Sequence, residues 1–144
     1  MKPLNKTATN VFMLILARLQ DSPMKTHLKL DQSEGAYMPL HVEFLYHTSI
    51  NNHSAEVYSL SHYYRQNGDL VPDPDMTFAV LKDNPVNPDL GPAIFALSYQ
   101  DSYKYDQAAF INENDRWQYR PKLQADITAF AHLWLKNIKE QQDL

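Results

Sequence analysis

AEVYSLSHYYRQNGDLVPDPDMTFAV, at residues 55 to 80, indicates two strands joined by a turn, and this segment decides the fold. Apolar and polar side chains alternate in its first and last parts, which is typical of strands that bury one face. Between them lies Asn67-Gly68, a dipeptide in which both residues tolerate the positive φ that a tight turn requires. The prolines at 72 and 74 hold the residue before each of them in extended or turn conformations. The segment therefore predicts strand, turn and strand.

Alternation predicts three further strands elsewhere in the chain. They lie at residues 24 to 30, 40 to 47 and 93 to 100. In the second of them, four apolar side chains share one parity: Leu40, Val42, Phe44 and Tyr46. The other parity is mostly polar, as expected for an antiparallel sheet with one face in water. Turn-forming residues between the strands predict loops at 48 to 54 and 83 to 92.

Both ends of the chain are predicted to be helical. The first helix follows a candidate N-cap at Thr7, Thr9 or Asn10 and ends before Pro23. The last helix begins near Pro121, and six apolar residues share one of its faces at about 100° per residue. These residues are Leu123, Ile127, Phe130, Ala131, Trp134 and Ile138. Each helix therefore has one apolar face to bury.

The predicted fold class is α+β, with an antiparallel sheet of about five strands and with the N-terminal and C-terminal helices packed on one face. Residues 1 to 144 form a single domain, long enough to bury about two-thirds of the chain's surface without a disulfide or a metal. Residues 103 to 111 leave two alternatives open. They form either a strand followed by irregular chain, which we favour, or a short helix capped by Asp106.

Composition excludes several classes of function. The net charge is -4, from 17 acidic residues against 13 Lys and Arg, without the basic cluster that duplex nucleic acid requires. The absence of cysteine removes thiol nucleophiles, cysteine zinc sites and iron–sulfur clusters, and it fits the cytoplasm. The apolar run at residues 11 to 17 is short for an export signal and lacks an A-x-A cleavage site. No run approaches the ~18 apolar residues of a membrane span.

Two interpretations compete for the segment around the turn. In one, a small metal-dependent hydrolase uses His62 as a general base, because imidazole titrates near neutrality, with Asp69 and Asp73 on a hard cation. The spacing, however, lacks the D-x-D-x-D-G series and the final glutamate of a calcium loop. His62 also shares the parity of Tyr58 and Leu60, which is typical of a hydrogen-bonded core histidine. We therefore favour a turn and predict no metal and no cofactor.

Other catalytic patterns are weak or missing. His41, Glu43 and His47 share the polar side of one predicted strand, but neighbours on one side stand ~6.6 Å apart, which is loose for one metal ion. A solvated strand face explains them better. The three glycines are too dispersed for a P-loop or a dinucleotide-binding turn, and no G-x-S-x-G or H-E-x-x-H motif occurs. The residues therefore identify no activity and favour a protein that is not an enzyme.

Aromatic residues indicate an interface instead. Nine tyrosines and two tryptophans form a surplus, and amphipathic rings contribute large contact areas with a polar tip. The candidates for exposure are Tyr63, Tyr103, Tyr105, Trp117 and Tyr119. We predict a non-enzymatic protein-interaction module with an unidentified protein partner or a homodimer. Its predicted binding surface consists of Tyr63, Tyr64, Asn67, Asp69, Asp73 and Asp75.

Three segments resemble an uncharacterised family of small bacterial proteins found on plasmids and other mobile elements. They are GAYMPLHVE at 35 to 43, HYYRQNGDLVPDPDM at 62 to 76 and PKLQADITAFAHLWLKNIKEQ at 121 to 141. The resemblance covers most of the chain from about residue 35 and includes the motif H-Y-x-x-Q-N-G-D-L-x-x-D-P-D, whose most specific part is N-G-D-L-x-x-D-P-D. It assigns no activity and no catalytic residue. It implies a bacterial, cytosolic protein with an accessory role in plasmid or phage biology.

Overall fold

The computed structural model describes residues 1–85 and 88–144, and it confirms an α+β fold. In chain order the helices and strands are α1 (Lys6–Asp21), β1 (His27–Leu30), β2 (Leu40–Ile50), β3 (His53–Gln66), β4 (Asp69–Leu81), β5 (Ala93–Gln100), β6 (Tyr105–Gln107), β7 (Ala109–Ile111), β8 (Trp117–Tyr119) and α2 (Pro121–Gln141). A short 3₁₀ helix, Pro88–Leu90, precedes β5. Residues 86 and 87 of the loop predicted at 83 to 92 lie outside the described residues.

Six strands in the described part of the chain form one sheet in the order β1-β2-β3-β4-β5-β6, and all neighbours are antiparallel. β7 and β8 pair separately as a second, two-stranded sheet. The main sheet exceeds the predicted size of about five strands because residues 105 to 107 pair with β5. Asp106 therefore lies in a strand and caps no helix. The prediction of irregular chain after this strand is wrong, because residues 109 to 111 form β7.

Tight turns of one kind connect the long central strands. Asn67 and Gly68, between β3 and β4, have φ values of 53° and 86°. Both central residues thus lie at positive φ, as a two-residue hairpin turn requires, and the predicted turn is confirmed. Asn51 and Asn52, at φ values of 50° and 65°, form the corresponding turn between β2 and β3. The loop predicted at 48 to 54 is shorter than expected, because both strands continue into it.

The N-terminal helix begins earlier than predicted. Its N-cap is Asn5, whose Oδ1 accepts a hydrogen bond from the backbone N–H of Ala8 at 2.8 Å. The bond satisfies one of the free N–H groups of the first turn, which is the function of an N-cap. The three caps predicted from the sequence are wrong, because these residues lie inside the helix: Thr7, Thr9 and Asn10.

The C-terminal helix begins at Pro121, as predicted, and shares the main core with α1 on one face of the sheet. Most of its predicted apolar stripe is buried, while Leu123 and Phe130 are only partly buried at the margin of the core. Leu135, outside that stripe, is fully buried. No helix in the described ranges is long and apolar enough to cross a membrane.

The second face of the sheet is only partly in water. β7 and β8 contribute to a second apolar cluster there, so one half of the face is covered. The buried members are Ile50, Ala55, Val57, Ala79, Leu81, Ala93, Leu97 and Ala109. Trp117 packs against this cluster and is partly buried, which corrects its expected exposure. The expectation of one solvent-facing side of the sheet therefore holds only for the half of the second face that β7 and β8 do not cover.

A β-bulge changes the faces to which the end of β2 projects. Phe44 pairs with Tyr58, but Tyr46 pairs with the adjacent Val57, so Leu45 has no opposing residue at this point. The extra residue moves Tyr46 to the face opposite Phe44, which corrects the predicted apolar set. The bulge also separates His47 from His41 and Glu43, which were predicted to share one polar side. His47 now lies on the side of Phe44, and the centroids of these two rings are 4.9 Å apart.

Candidate binding surface

Polar side chains fill the half of the second sheet face that β7 and β8 leave open. Residues paired across an antiparallel sheet project to the same side, so the strand registers produce two adjoining rows. The first row is His27, Glu43, Ser59, Thr77, Ser98 and Gln107. The second row is Lys29, His41, Ser61, Asp75, Gln100 and Tyr105. We call these two rows the polar face.

Hydrogen bonds between side chains order the middle of the polar face. The Ser59 hydroxyl donates to Oδ1 of Asp75 at 2.8 Å, and the hydroxyl oxygens of Thr77 and Ser98 lie 2.5 Å apart. Burial raises the pKa of Asp75, the hydrogen bond from Ser59 opposes this rise, and the charge of Glu43 adds to it. Asp75 is thus a half-buried acid that lies near a second acid.

A small cleft opens on the polar face beside β1. Its volume is about 130 Å³, and it is lined by His27, Leu28, His41, Val42, Glu43, Ser59, Ser61 and Tyr63. Ser61 is only 3% exposed, and its hydroxyl has no hydrogen-bond partner in the described part of the chain. The rings of His41 and Tyr63 meet edge to face with centroids 5.2 Å apart. Burial, with a smaller effect of the Lys29 charge, lowers the pKa of His41, which makes the neutral imidazole the main form at pH 7.

The β3–β4 hairpin projects past the rest of the sheet beside this cleft. β2 pairs with β3 no further than Ser61, and β5 pairs with β4 no further than Asp75. Beyond these positions, β3 and β4 pair only with each other among the described residues. We call residues 63 to 72 the hairpin arm. Its tip is exposed, with Leu70 61% exposed, whereas Tyr63 at its base lines the cleft, so the arm and the cleft are contiguous.

His62 lies on the other side of the sheet, in the main core. Trp134 donates its indole N–H to Nδ1 of His62 at 3.3 Å, and the two rings meet edge to face with centroids 5.4 Å apart. Burial, with a smaller contribution from His41, lowers the pKa of His62 to about 4. The imidazole is therefore neutral with its hydrogen on Nε2. That Nε2 has no hydrogen-bond partner within the described residues.

The structure does not bring together the three residues of the hydrolase interpretation. His62 is buried, whereas Asp69 and Asp73 are exposed. Asp69 pairs with Gln66, which lies four residues from His62, or about 13 Å along the strand. In residues 1–85 and 88–144, no group of three His, Asp or Glu side chains could hold a metal ion.

The six residues predicted to form the binding surface lie on or near the hairpin arm. Tyr63 and Asp75 project to the side of the cleft, and Asn67 and Asp69 are exposed at the arm's turn. Tyr64 is half-buried on the opposite side of the arm, and Asp73 is exposed at its base. Three of the tyrosines expected to be exposed are so: Tyr103 at 95%, Tyr105 at 58% and Tyr119 at 47%.

The sequence patterns missed the buried hydroxyls of the polar face. Ser59 and Ser61 alternate in β3 with the bulky residues Tyr58, Leu60 and His62, so that one side of the strand is small and polar. This alternation was visible in the sequence. The identity of the residues opposite the two serines was not visible in the sequence, because it depends on the register of the neighbouring strand.

A family model covers nearly the whole chain. It matches residues 10–144 and is described as DUF6908, a domain of unknown function. The chain belongs to this family. The match agrees with the predicted membership in an uncharacterised family, and it includes the whole polar face and the hairpin arm. No curated protein and no solved structure matches the chain.

Proposed function

We propose that this DUF6908 domain is a non-enzymatic protein-interaction module whose contact surface is the polar face together with the hairpin arm. The observation that carries this proposal is the open cleft at the base of the hairpin arm, which Glu43, Ser61 and Tyr63 line. The Ser61 hydroxyl forms no hydrogen bond with the described residues, so it is available to a polar group of a bound partner.

The hairpin arm supports the same proposal independently. A two-stranded hairpin has little core of its own and is marginally stable in water. The arm nevertheless exposes the apolar side chain of Leu70 next to the polar residues of its turn. An apolar contact surrounded by polar groups is the usual composition of a protein interface.

The biological setting is proposed from the sequence resemblance at 35 to 43, 62 to 76 and 121 to 141. It is a bacterial, cytosolic protein with an accessory role in plasmid or phage biology. We propose a partner that is a different protein, and a homodimer is the alternative. The hydrolase using His62, Asp69 and Asp73 is favoured by no observation, because these side chains do not converge.

Photocrosslinking in the producing cell tests the proposed surface. p-Benzoylphenylalanine replaces Leu70 on the arm, Tyr105 on the polar face or, as a control, Leu133 on α2. These three residues are 61%, 58% and 59% exposed, so a difference in yield reports position and not accessibility. We expect Leu70 and Tyr105 to give an adduct with the same protein and Leu133 to give none.

Three outcomes would contradict this expectation. An equal yield from Leu133, or no adduct from Leu70 and Tyr105, would remove the polar face and the arm as the contact surface. An adduct between two copies of the chain would replace the different partner with a homodimer.

A further inference from the structure

The size of the cleft on the polar face restricts what it can hold. Pockets for drug-sized ligands measure about 300 to 1,000 Å³. This cleft measures about 130 Å³, which is enough for the end of one side chain or a small ion. Because the cleft joins the base of the hairpin arm at Tyr63, a partner bound to the arm can reach it with one residue.

Two carboxylates determine the charge of the cleft. Glu43 lines the cleft directly. Asp75 does not line it but accepts a hydrogen bond at 2.8 Å from the hydroxyl of Ser59, which does. Neither carboxylate forms an ion pair in the described part of the chain. The polar face carries one lysine, Lys29, which is exposed on the edge strand beside His41. With His27 and His41 counted as neutral, two carboxylates against one lysine favour a cation and disfavour an anion.

The cleft also offers acceptors and an aromatic surface. Ser61 is 3% exposed as a whole residue and lines the cleft, where its hydroxyl, which has no partner among the described residues, can accept a hydrogen bond from an incoming N–H group. The Ser59 oxygen keeps free lone pairs, because its hydrogen is donated to Asp75. The ring of Tyr63 forms part of the wall. This combination suits a planar organic cation better than a metal ion, for which no set of three ligands exists among the described residues.

We propose that the cleft binds the guanidinium group of an arginine presented by the partner protein, an inference that rests on the proposed interaction function. Glu43 and the hydroxyl oxygens of Ser59 and Ser61 accept the fork of guanidinium N–H groups. The Tyr63 ring provides the stacking surface that guanidinium prefers and ammonium uses less well. Asp75 acts through Ser59 as a positioning residue.

Two-dimensional NMR titrations with small molecules test the inference without the partner. The probe is Nα-acetyl-arginine amide, and the neutral control of the same shape is Nα-acetyl-citrulline amide. We expect the arginine compound to shift the backbone amide signals of residues 41 to 43 and 59 to 63 saturably. Glu43→Gln should weaken binding by up to about fivefold, the upper limit for one exposed charge pair. Ser61→Val, which removes the acceptor and fills space, should abolish it.

Glu56→Gln is the matched control variant, since Glu56 pairs with Lys82 at 3.0 Å and does not line the cleft. It should leave the affinity for the arginine compound unchanged. Equal shifts from the citrulline compound, or an unchanged affinity in Glu43→Gln, would overturn the arginine site.

Comparison with the crosslinking experiment separates the two proposals. Adducts at Leu70 and Tyr105 without binding of the arginine compound would overturn the arginine site and leave the interaction function standing. Binding of the arginine compound without adducts would support guanidinium binding by the cleft, but it would remove the interaction function and, with it, a partner protein as the source of the arginine.

Discussion

At the scale of single residues, His62 shows how the main core holds a titratable group. Burial lowers its pKa from 6.5 to about 4, and the indole N–H of Trp134 uses the lone pair of Nδ1. Between pH 6.5 and 4 the unfolded chain therefore binds more protons at His62 than the folded chain does. The contribution of His62 to the free energy of unfolding should be fully present above pH 6.5 and should be lost as the pH drops towards 4.

Thermal unfolding of His62→Leu against the parent protein checks this pH dependence. His41 and His132 also have lowered pKa values, so the parent's own curve does not isolate His62. We expect Tm to fall less between pH 6.5 and 4 in His62→Leu than in the parent. The control His53→Leu replaces a histidine outside the main core, at the β2–β3 turn. Equal pH slopes in His62→Leu and the parent would show that His62 is not a buried neutral group.

Single-residue roles were predictable only where a local pattern exposes them. Trp134 was expected in the core because it recurs at helical spacing, and it is 5% exposed. Gln124 was not expected there, although it is 1% exposed. Its amide accepts the Lys2 N–H at 2.9 Å and donates to the carbonyls of Lys2 and Ala96 at 2.9 and 3.2 Å. These partners are remote in sequence, so no local pattern marks the glutamine as buried.

At the scale of elements, the hairpin arm depends on the backbone conformation of its turn. Gly68 has a φ of 86°, which a β-branched residue rarely adopts. No described atom lies within 4 Å of a Cβ placed there, so the cost of Gly68→Val comes from the backbone. We expect about 1 to 3 kcal/mol of destabilisation, measured as a lowered Tm. Asp69→Asn should change Tm little, because the side chain is exposed and the amide keeps an acceptor oxygen.

Metal titrations of the same variants decide between the turn and a cation site. Melting curves are recorded with magnesium, calcium, manganese or zinc. Because ligands that bind only the folded state raise Tm, a cation site would appear as a metal-dependent rise in the parent. A rise that disappears in both Asp69→Asn and Asp73→Asn would contradict the turn interpretation.

The alternation of apolar and polar residues predicted where most strands lie, but it did not always predict the sheet face to which their side chains project. β5 has the predicted bounds, and the turn at 67 and 68 lies where the Asn-Gly dipeptide predicts it. The bulge after Phe44 was invisible, because an extra residue changes the register without changing the composition of the strand. β7 and β8 contain three residues each, which is too short for a period of two to stand out.

At the scale of the whole molecule, the polar face exists only because six strands are held in one register. Ser59 and Asp75 are hydrogen-bonded across β3 and β4, and Thr77 and Ser98 across β4 and β5. Each pair consists of residues that look ordinary in their own strand. The sequence could predict a sheet with a polar side, but the register that produces the cleft beside Tyr63 comes from tertiary pairing.

Hydrogen–deuterium exchange of the chain, alone and with the partner recovered by crosslinking, tests the proposed contact surface most directly. It reports all backbone amides of the unmodified protein at once. We predict slower exchange on binding at residues 41 to 43 of β2 and at 59 to 72 of β3, the turn and β4, with α2 unchanged. Protection confined to the exposed sides of α1 and α2, with unchanged exchange at 59 to 72, would contradict the account.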